Sequence, residues 1–118
     1  MKTYTVEVEE NGTRKWYLNG RLHREGGPAI EYANGTRGWY LNGKLHREDG
    51  PAKEYVDGTK CYYLNGKLHR EDGPAIEGGN TPTKYYYINN KRLTEQEFLA
   101  RTSNTITING ITYKLVEV

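Results

Sequence analysis

Residues 11–79 are one 23-residue phrase written three times: "NGTRKWYLNGRLHREGGPAIEYA", "NGTRGWYLNGKLHREDGPAKEYV" and "DGTKCYYLNGKLHREDGPAIEGG". Trp16, Trp39 and Tyr62 mark the period, and a degenerate fourth unit opens at "TKYYYINNKRL". A unit this short cannot bury a core alone. A fixed period in this range means that units stack in a row and complete their neighbours' packing.

The local chemistry says what is stacked. Each unit carries two Asn-Gly or Asp-Gly dipeptides. Asn19-Gly20, Asn42-Gly43 and Asn65-Gly66 form one series, and Asn11-Gly12, Asn34-Gly35 and Asp57-Gly58 the other. Such dipeptides accept positive φ at both centres of a type I′ turn, the favoured two-residue hairpin loop. Aromatic and β-branched residues lie between them, so each unit predicts two strands of an antiparallel meander. Pro28, Pro51 and Pro74 cannot donate to a ladder and predict a break in the second strand.

Two-residue loops at every dipeptide fix a register. Around Asn42-Gly43, Tyr40 faces Leu45, Trp39 faces His46, Gly38 faces Arg47 and Arg37 faces Glu48. The Asp57-Gly58 turn then sets Lys53 against Tyr62 and Tyr55 against Lys60, and the Asn34-Gly35 turn sets Ile30 against Trp39 and Tyr32 against Arg37. Alternation places Trp16, His23, Trp39, His46, Tyr62 and His69 on one face as aromatic–histidine struts, with Arg14–Glu25, Arg37–Glu48 and Lys60–Glu71 beside them. The other face carries a stripe of Tyr17, Arg24, Tyr40, Arg47, Tyr63 and Arg70, with Leu22, Leu45 and Leu68 between. Tyr and Arg are the residues of interface hot spots, so this stripe is the candidate partner-binding site.

"LHREDGPA" looks like acid–base equipment, but an active site is one asymmetric arrangement and this motif recurs three times. Its aspartate is also missing from the first unit, where Gly26 stands. No nucleophile–base pair, phosphate loop or His-x-x-x-His spacing is present, so neither an enzyme nor a metal or cofactor is expected. The single Cys61 reads as a small strand hydrophobe.

The unit resembles MORN repeats in a variant form. The ordinary unit reads like "DG-x-x-Y-x-G-x-W-x-x-G-x-x-H-G-x-G" at the same period. Here the second glycine pair becomes Arg-x-x-Gly-Pro. The likeness covers residues 11–79, with a remnant to about 93. The "HR-x-x-GPA" variant looks like proteins of tailed bacteriophages and large DNA viruses, and other variants resemble antitoxins. The resemblance implies an elongated, twisted, single-layer antiparallel sheet that binds something.

Composition agrees with a thin molecule. The apolar share is 35%, against about 45–50% for a globular chain, while 11 Tyr and 2 Trp supply broad rings with polar tips. The net charge of +2 is too balanced to indicate nucleic acid or an anionic membrane. No apolar run approaches a membrane span, and "MKTYTVEVEE" has no apolar leader, so a cytoplasmic protein is expected, in the host cytoplasm if the chain is viral.

The organisation expected is all-β. Residues 1–79 hold an N-terminal strand and three MORN-like repeats at 11–33, 34–56 and 57–79. Residues 80–118 hold the degenerate fourth repeat, a short helix at 95–101 announced by the Thr94–Glu97 capping box, and a hairpin turning at Asn109-Gly110. Phe98 and Leu99 should cover the last repeat hairpin. The function expected is non-catalytic protein–protein interaction: a small phage protein that binds and inhibits a host effector such as a defence system. The alternatives are single-stranded nucleic-acid binding, an antitoxin or immunity role, and a membrane- or virion-associated structural role. A thin sheet also leaves room for a homodimer.

Overall fold

The computed structural model describes residues 2–102 and 105–114. Its organisation rests on two kinds of turn that share one dipeptide. At Asn19-Gly20, Asn42-Gly43 and Asn65-Gly66 both residues lie in the left-handed region, with φ of 53° and 75°, 51° and 80°, and 51° and 79°. These are the two-residue turns expected, and they pair Leu18 with Arg21, Leu41 with Lys44, and Leu64 with Lys67. Asn89-Asn90 does the same for the fourth unit, joining Lys84–Ile88 to Lys91–Leu93.

The other series turns differently. Gly12, Gly35 and Gly58 have φ of 96°, 96° and 90°, but Asn11, Asn34 and Asp57 do not take positive φ. Their side-chain oxygens instead accept the amide of the residue two on: Thr13 at 2.9 Å, Thr36 at 2.9 Å and Thr59 at 2.8 Å. The Tyr32 amide donates to the Thr36 carbonyl and the Tyr55 amide to the Thr59 carbonyl. Three residues therefore lie in the loop, as in a type I turn closed by a left-handed glycine.

That extra residue corrects the expected register. Lys53 pairs with Cys61 and Glu54 with Lys60, in place of Lys53 with Tyr62 and Tyr55 with Lys60. Ile30 pairs with Gly38 and Glu31 with Arg37, in place of Ile30 with Trp39 and Tyr32 with Arg37. A one-residue slip exchanges the faces of a strand.

A second correction lies within each hairpin. Tyr40–Leu45 pairing holds, and the His46 amide donates to the Trp39 carbonyl at 2.9 Å. Beyond His46 the chain leaves the sheet as a loop through Arg-Glu-Asp-Gly-Pro and returns at Lys53–Glu54. Gly38–Arg47 and Arg37–Glu48 pairs therefore do not form; nor do Arg14–Glu25 and Lys60–Glu71. Each proline ends this excursion, at the break its missing N–H predicts.

The result is an open antiparallel meander that does not close into a barrel. Its order is Thr5–Val8, Arg14–Leu18, Ile30–Glu31, Arg37–Gly38, Lys53–Glu54, Lys60–Cys61, Ile76–Glu77, Lys84–Ile88, Lys91–Leu93, with Arg21–Leu22 on the far end of Arg14–Leu18. The hairpins Tyr40–Leu41/Lys44–Leu45 and Tyr63–Leu64/Lys67–Leu68 stand beside it. The molecule measures 62 × 36 × 19 Å with a radius of gyration of 18.2 Å; a compact chain of this length would give about 13.5 Å. The packed interior is thin, built on Ala29, Ala52 and Ala75 at 0% exposure with Ile30 and Cys61.

Neighbouring hairpins are sewn together. The Asn42 amide donates to His23 Nδ1 at 2.9 Å, the Asn65 amide to His46 Nδ1 at 2.9 Å, and the Asn89 amide to His69 Nδ1 at 3.1 Å. The next turn residue donates to the preceding leucine: Gly43 to Leu22 O, Gly66 to Leu45 O and Asn90 to Leu68 O. The Arg24, Arg47 and Arg70 amides reach forward to the carbonyls of Tyr40, Tyr63 and Tyr87 in the following unit. Each histidine thus serves the following repeat as a hydrogen-bond acceptor.

The C-terminal helix spans Glu95–Thr102. Its capping box is complete: the Glu97 amide donates to Thr94 Oγ1 at 3.1 Å and the Thr94 amide to Glu97 Oε1 at 2.9 Å. Phe98 is buried against Tyr86, with ring centroids 4.7 Å apart. Leu99 corrects its expectation, because it is 51% exposed and does not share the burial of Phe98. Thr105–Ile108 and Ile111–Lys114 form the terminal hairpin around Asn109-Gly110; its expected extension over 104 and 115–118 lies outside the described residues.

The staples make a discriminating test. His46→Ala strands the Asn65 amide and is expected to cost about 1 kcal/mol, which lowers Tm by roughly 4 °C in a domain of this size. Glu48→Ala, two residues away and outside the staple, leaves Tm unchanged in the same thermal melt.

Candidate functional site

The corrected register sorts the sheet into two rows. Lys15, Ile30, Gly38, Lys53, Cys61, Ile76 and Tyr85 lie opposite one another in sequence across six strand pairs. Their chain neighbours Arg14, Glu31, Arg37, Glu54, Lys60, Glu77 and Lys84 form the second row, on the other face. The second row alternates in sign at every step, and directly opposed unlike charges stabilise a sheet by about 0.2–1 kcal/mol each. Arg37 and Glu54 are in direct ion-pair contact.

This charged face also holds the arginines of the loop motif. The guanidinium of Arg24 lies 4.0 Å from the centre of the Trp16 ring, Arg47 3.9 Å from Trp39, and Arg70 3.9 Å from Tyr62. Each Nη1 donates to a proline carbonyl, of Pro28, Pro51 or Pro74, at 3.1 Å. The same nitrogens reach Glu31 at 3.4 Å, Glu54 at 3.3 Å and Glu77 at 2.8 Å. Nε of Arg47 and of Arg70 adds Asp49 at 3.2 Å and Asp72 at 3.0 Å. A planar fork that stacks on a ring while bonding two acceptors is arginine chemistry that lysine cannot copy. Arg24, Arg47 and Arg70 therefore hold the proline loop down onto the aromatic ring of their own repeat.

The expected Tyr/Arg stripe is corrected accordingly. Tyr17, Tyr40 and Tyr63 stay on the face of the first row, while Arg24, Arg47 and Arg70 belong to the other. Trp16, Trp39 and Tyr62 lie beneath the arginines, and His23, His46 and His69 carry the staples.

Tyrosine dominates the first-row face. Tyr40 folds over Gly38, where a Cβ would stand 3.0 Å from its ring. The Lys53 ammonium lies 5.0 Å from the centre of the Tyr55 ring. Tyr32, Tyr40, Tyr55 and Tyr63 surround this lysine: Tyr32 and Tyr55 are each 39% exposed, and burial pushes the Tyr40 and Tyr63 phenols above their ordinary ionisation range. Burial likewise raises the Cys61 thiol beside them.

Tyr32, Tyr55 and Lys53 were missed because two-residue loops put them on the Trp side. The signal was the Thr after each Asn-Gly or Asp-Gly of that series: it supplies the amide that the Asx oxygen takes. Glu31, Glu54 and Glu77 were missed with them, although each stands seven residues after a loop arginine.

Among the described residues no group of three or more His, Cys, Asp or Glu side chains is placed to hold a metal. No helix there is long and apolar enough to cross a membrane. No protein-family model matches the chain, and no curated protein and no solved structure matches it.

Two measurements test this face. Cys61 is 7% exposed, and its raised pKa withholds the reactive thiolate; a thiol reagent labels it only after denaturation. A phenol whose pKa is raised by folding contributes its full stability below the ordinary tyrosine value near 10, and loses it as pH climbs through the raised folded value. Tm is expected to fall above about pH 10, and Tyr40→Phe/Tyr63→Phe flattens that alkaline decline.

Proposed function

We propose that the chain is a non-catalytic β-repeat interaction module that binds another protein through its tyrosine face. In its most concrete form it is a small phage protein of the MORN-variant type that occupies and inhibits a host effector such as a defence system. The observation that carries this reading is the convergence of Tyr32, Tyr40, Tyr55 and Tyr63 around Lys53 on one side of a single-layer sheet. Tyrosine provides large, stiff, amphipathic contact area, and it is a residue on which interface energy concentrates. The hairpin staples and arginine locks hold such a surface ready, so little conformational freedom remains to be lost on docking.

A catalytic reading finds no support in the repeated motif, since the histidine accepts a backbone bond and the arginine holds a loop. Base stacking along a single strand would want arginine interleaved with the tyrosines, and those arginines sit on the other face.

The test is capture from nuclease-treated bacterial host lysate with the full chain as bait. One stoichiometric protein partner is expected, retained at moderate salt. Tyr32→Ala/Tyr55→Ala removes two half-exposed rings, leaves the fold intact, and is expected to weaken that complex about thirtyfold or more. Absence of any protein partner, or equal capture by native and variant chains, contradicts the reading.

A further inference from the structure

The first repeat shows what its histidine–glutamate pair accepts. Lys2 Nζ bonds Glu25 Oε1 at 2.7 Å, the Tyr4 hydroxyl donates to Glu25 Oε2 at 3.3 Å, and the Tyr4 ring stacks on His23 with centroids 6.2 Å apart. The chain's own N-terminal segment thus covers this pair with a lysine and, two residues on, an aromatic.

The second and third repeats carry the same pair uncovered. The Glu48 and Glu71 side chains are 85% and 76% exposed, against 55% for Glu25. Those of His46 and His69 are 15% and 13% exposed, against 7% for His23. No lysine or arginine among the described residues pairs with either glutamate; the Nε2 of its own repeat's histidine stands 3.9 Å away.

Each open pair borders a groove. One lies between the loop at 24–27 and His46–Glu48, floored by Trp39 and Leu41, with a volume of about 450 Å³. The next lies one repeat along, between the loop at 47–50 and His69–Glu71, floored by Tyr62 and Leu64, with a volume of about 540 Å³. Carboxylates line the second from both loops: Glu48 and Asp49, then Glu71 and Asp72. Arg47 and Arg70 also line it, but they are folded onto ring and proline carbonyl and paired with Asp49 and Asp72, so the charge left exposed without a cationic side chain is that of Glu48 and Glu71. An imidazole, an apolar floor and the Glu48 or Glu71 carboxylate, which no lysine or arginine holds, together suit a side-chain pair of the kind that Lys2 and Tyr4 supply in the first repeat.

We propose that these two grooves each bind an extended segment of a partner protein carrying a lysine two residues before an aromatic, the arrangement that Lys2 and Tyr4 present to Glu25 and His23. The lysine pairs with Glu48 or Glu71, and the aromatic stacks on His46 or His69. Two grooves one repeat apart favour a partner bearing two such motifs, because the second docks at high effective concentration once the first is bound. The grooves lie on the charged side of the sheet, so this contact is separate from the tyrosine face.

The probe is the blocked peptide Lys-Thr-Tyr-Thr, copied from residues 2–5, titrated into the isotope-labelled full chain and followed by NMR. Shifts are expected in the amides of 47–50 and 69–72 and in the rings of His46 and His69. A peptide with Gln for Lys is expected to bind about fivefold more weakly, the worth of a part-exposed ion pair. Glu48→Gln/Glu71→Gln is expected to weaken the original peptide to the same degree, and Tyr32→Ala/Tyr55→Ala to leave it unchanged. No shift at these loops with peptide in large excess overturns the inference. Equal binding of the Lys and Gln peptides, or no loss in the Glu48→Gln/Glu71→Gln chain, overturns it as well. The reading of the tyrosine face stands or falls separately, on lysate capture by the Tyr32→Ala/Tyr55→Ala chain.

Discussion

The bond from a turn amide to the Nδ1 of the preceding repeat's histidine organises the molecule. A type I′ turn closes its hairpin tightly but leaves the N–H of its first central residue outside the ladder. In an array, that N–H faces the previous hairpin, and an imidazole placed three residues beyond the Asn-Gly pair supplies the acceptor. The neighbouring glycine N–H takes the leucine carbonyl one residue before the histidine. Both central amides of each stacked turn are thereby satisfied by another unit. Short hairpins are marginal in water on their own, and this hydrogen bonding lets them stand in a row without a second layer to cover them.

The arginine after each histidine extends the same economy within a repeat. It lies on the aromatic ring, ties the proline carbonyl, and reaches the glutamate of the charged row. One side chain thus joins the loop, the ring and the sheet. Six recurring residue types (Asn, Gly, His, Arg, Pro and an aromatic) account for most of the architecture, and a buried apolar core accounts for little of it.

Much of this was legible in the sequence. The 23-residue period announced stacked hairpins, the prolines announced the breaks, and Thr94 with Glu97 announced the helix. The register between repeats was not legible from the dipeptides alone. Within the repeats Asn-Gly serves two turn types, distinguished by the residues just after it: Lys or Arg and then Leu for the two-residue turn, Thr for the three-residue one. Mistaking the second for the first moved Tyr32, Tyr55 and Lys53 to the wrong face and hid the alternating row from Arg14 to Lys84. The roles of Arg24, Arg47 and Arg70 were hidden for another reason. Nothing in local alternation says that the chain leaves the sheet after His46 and folds back over Trp39.

Because the loop arginines are engaged, the two surfaces proposed for partners differ in character. One is a tyrosine face with a lysine at its centre, and the other is a pair of acidic grooves between successive loops. Both repeat at the pitch of the array, and both depend on the staples holding that pitch. The most direct measurement is the tautomer of the three imidazoles, read by long-range nitrogen–proton NMR correlations on the neutral rings. The staple requires Nδ1 of His23, His46 and His69 to be unprotonated and to accept a bond, with the proton on Nε2. A proton on Nδ1 in these rings would set donor against donor at each turn and contradict the account.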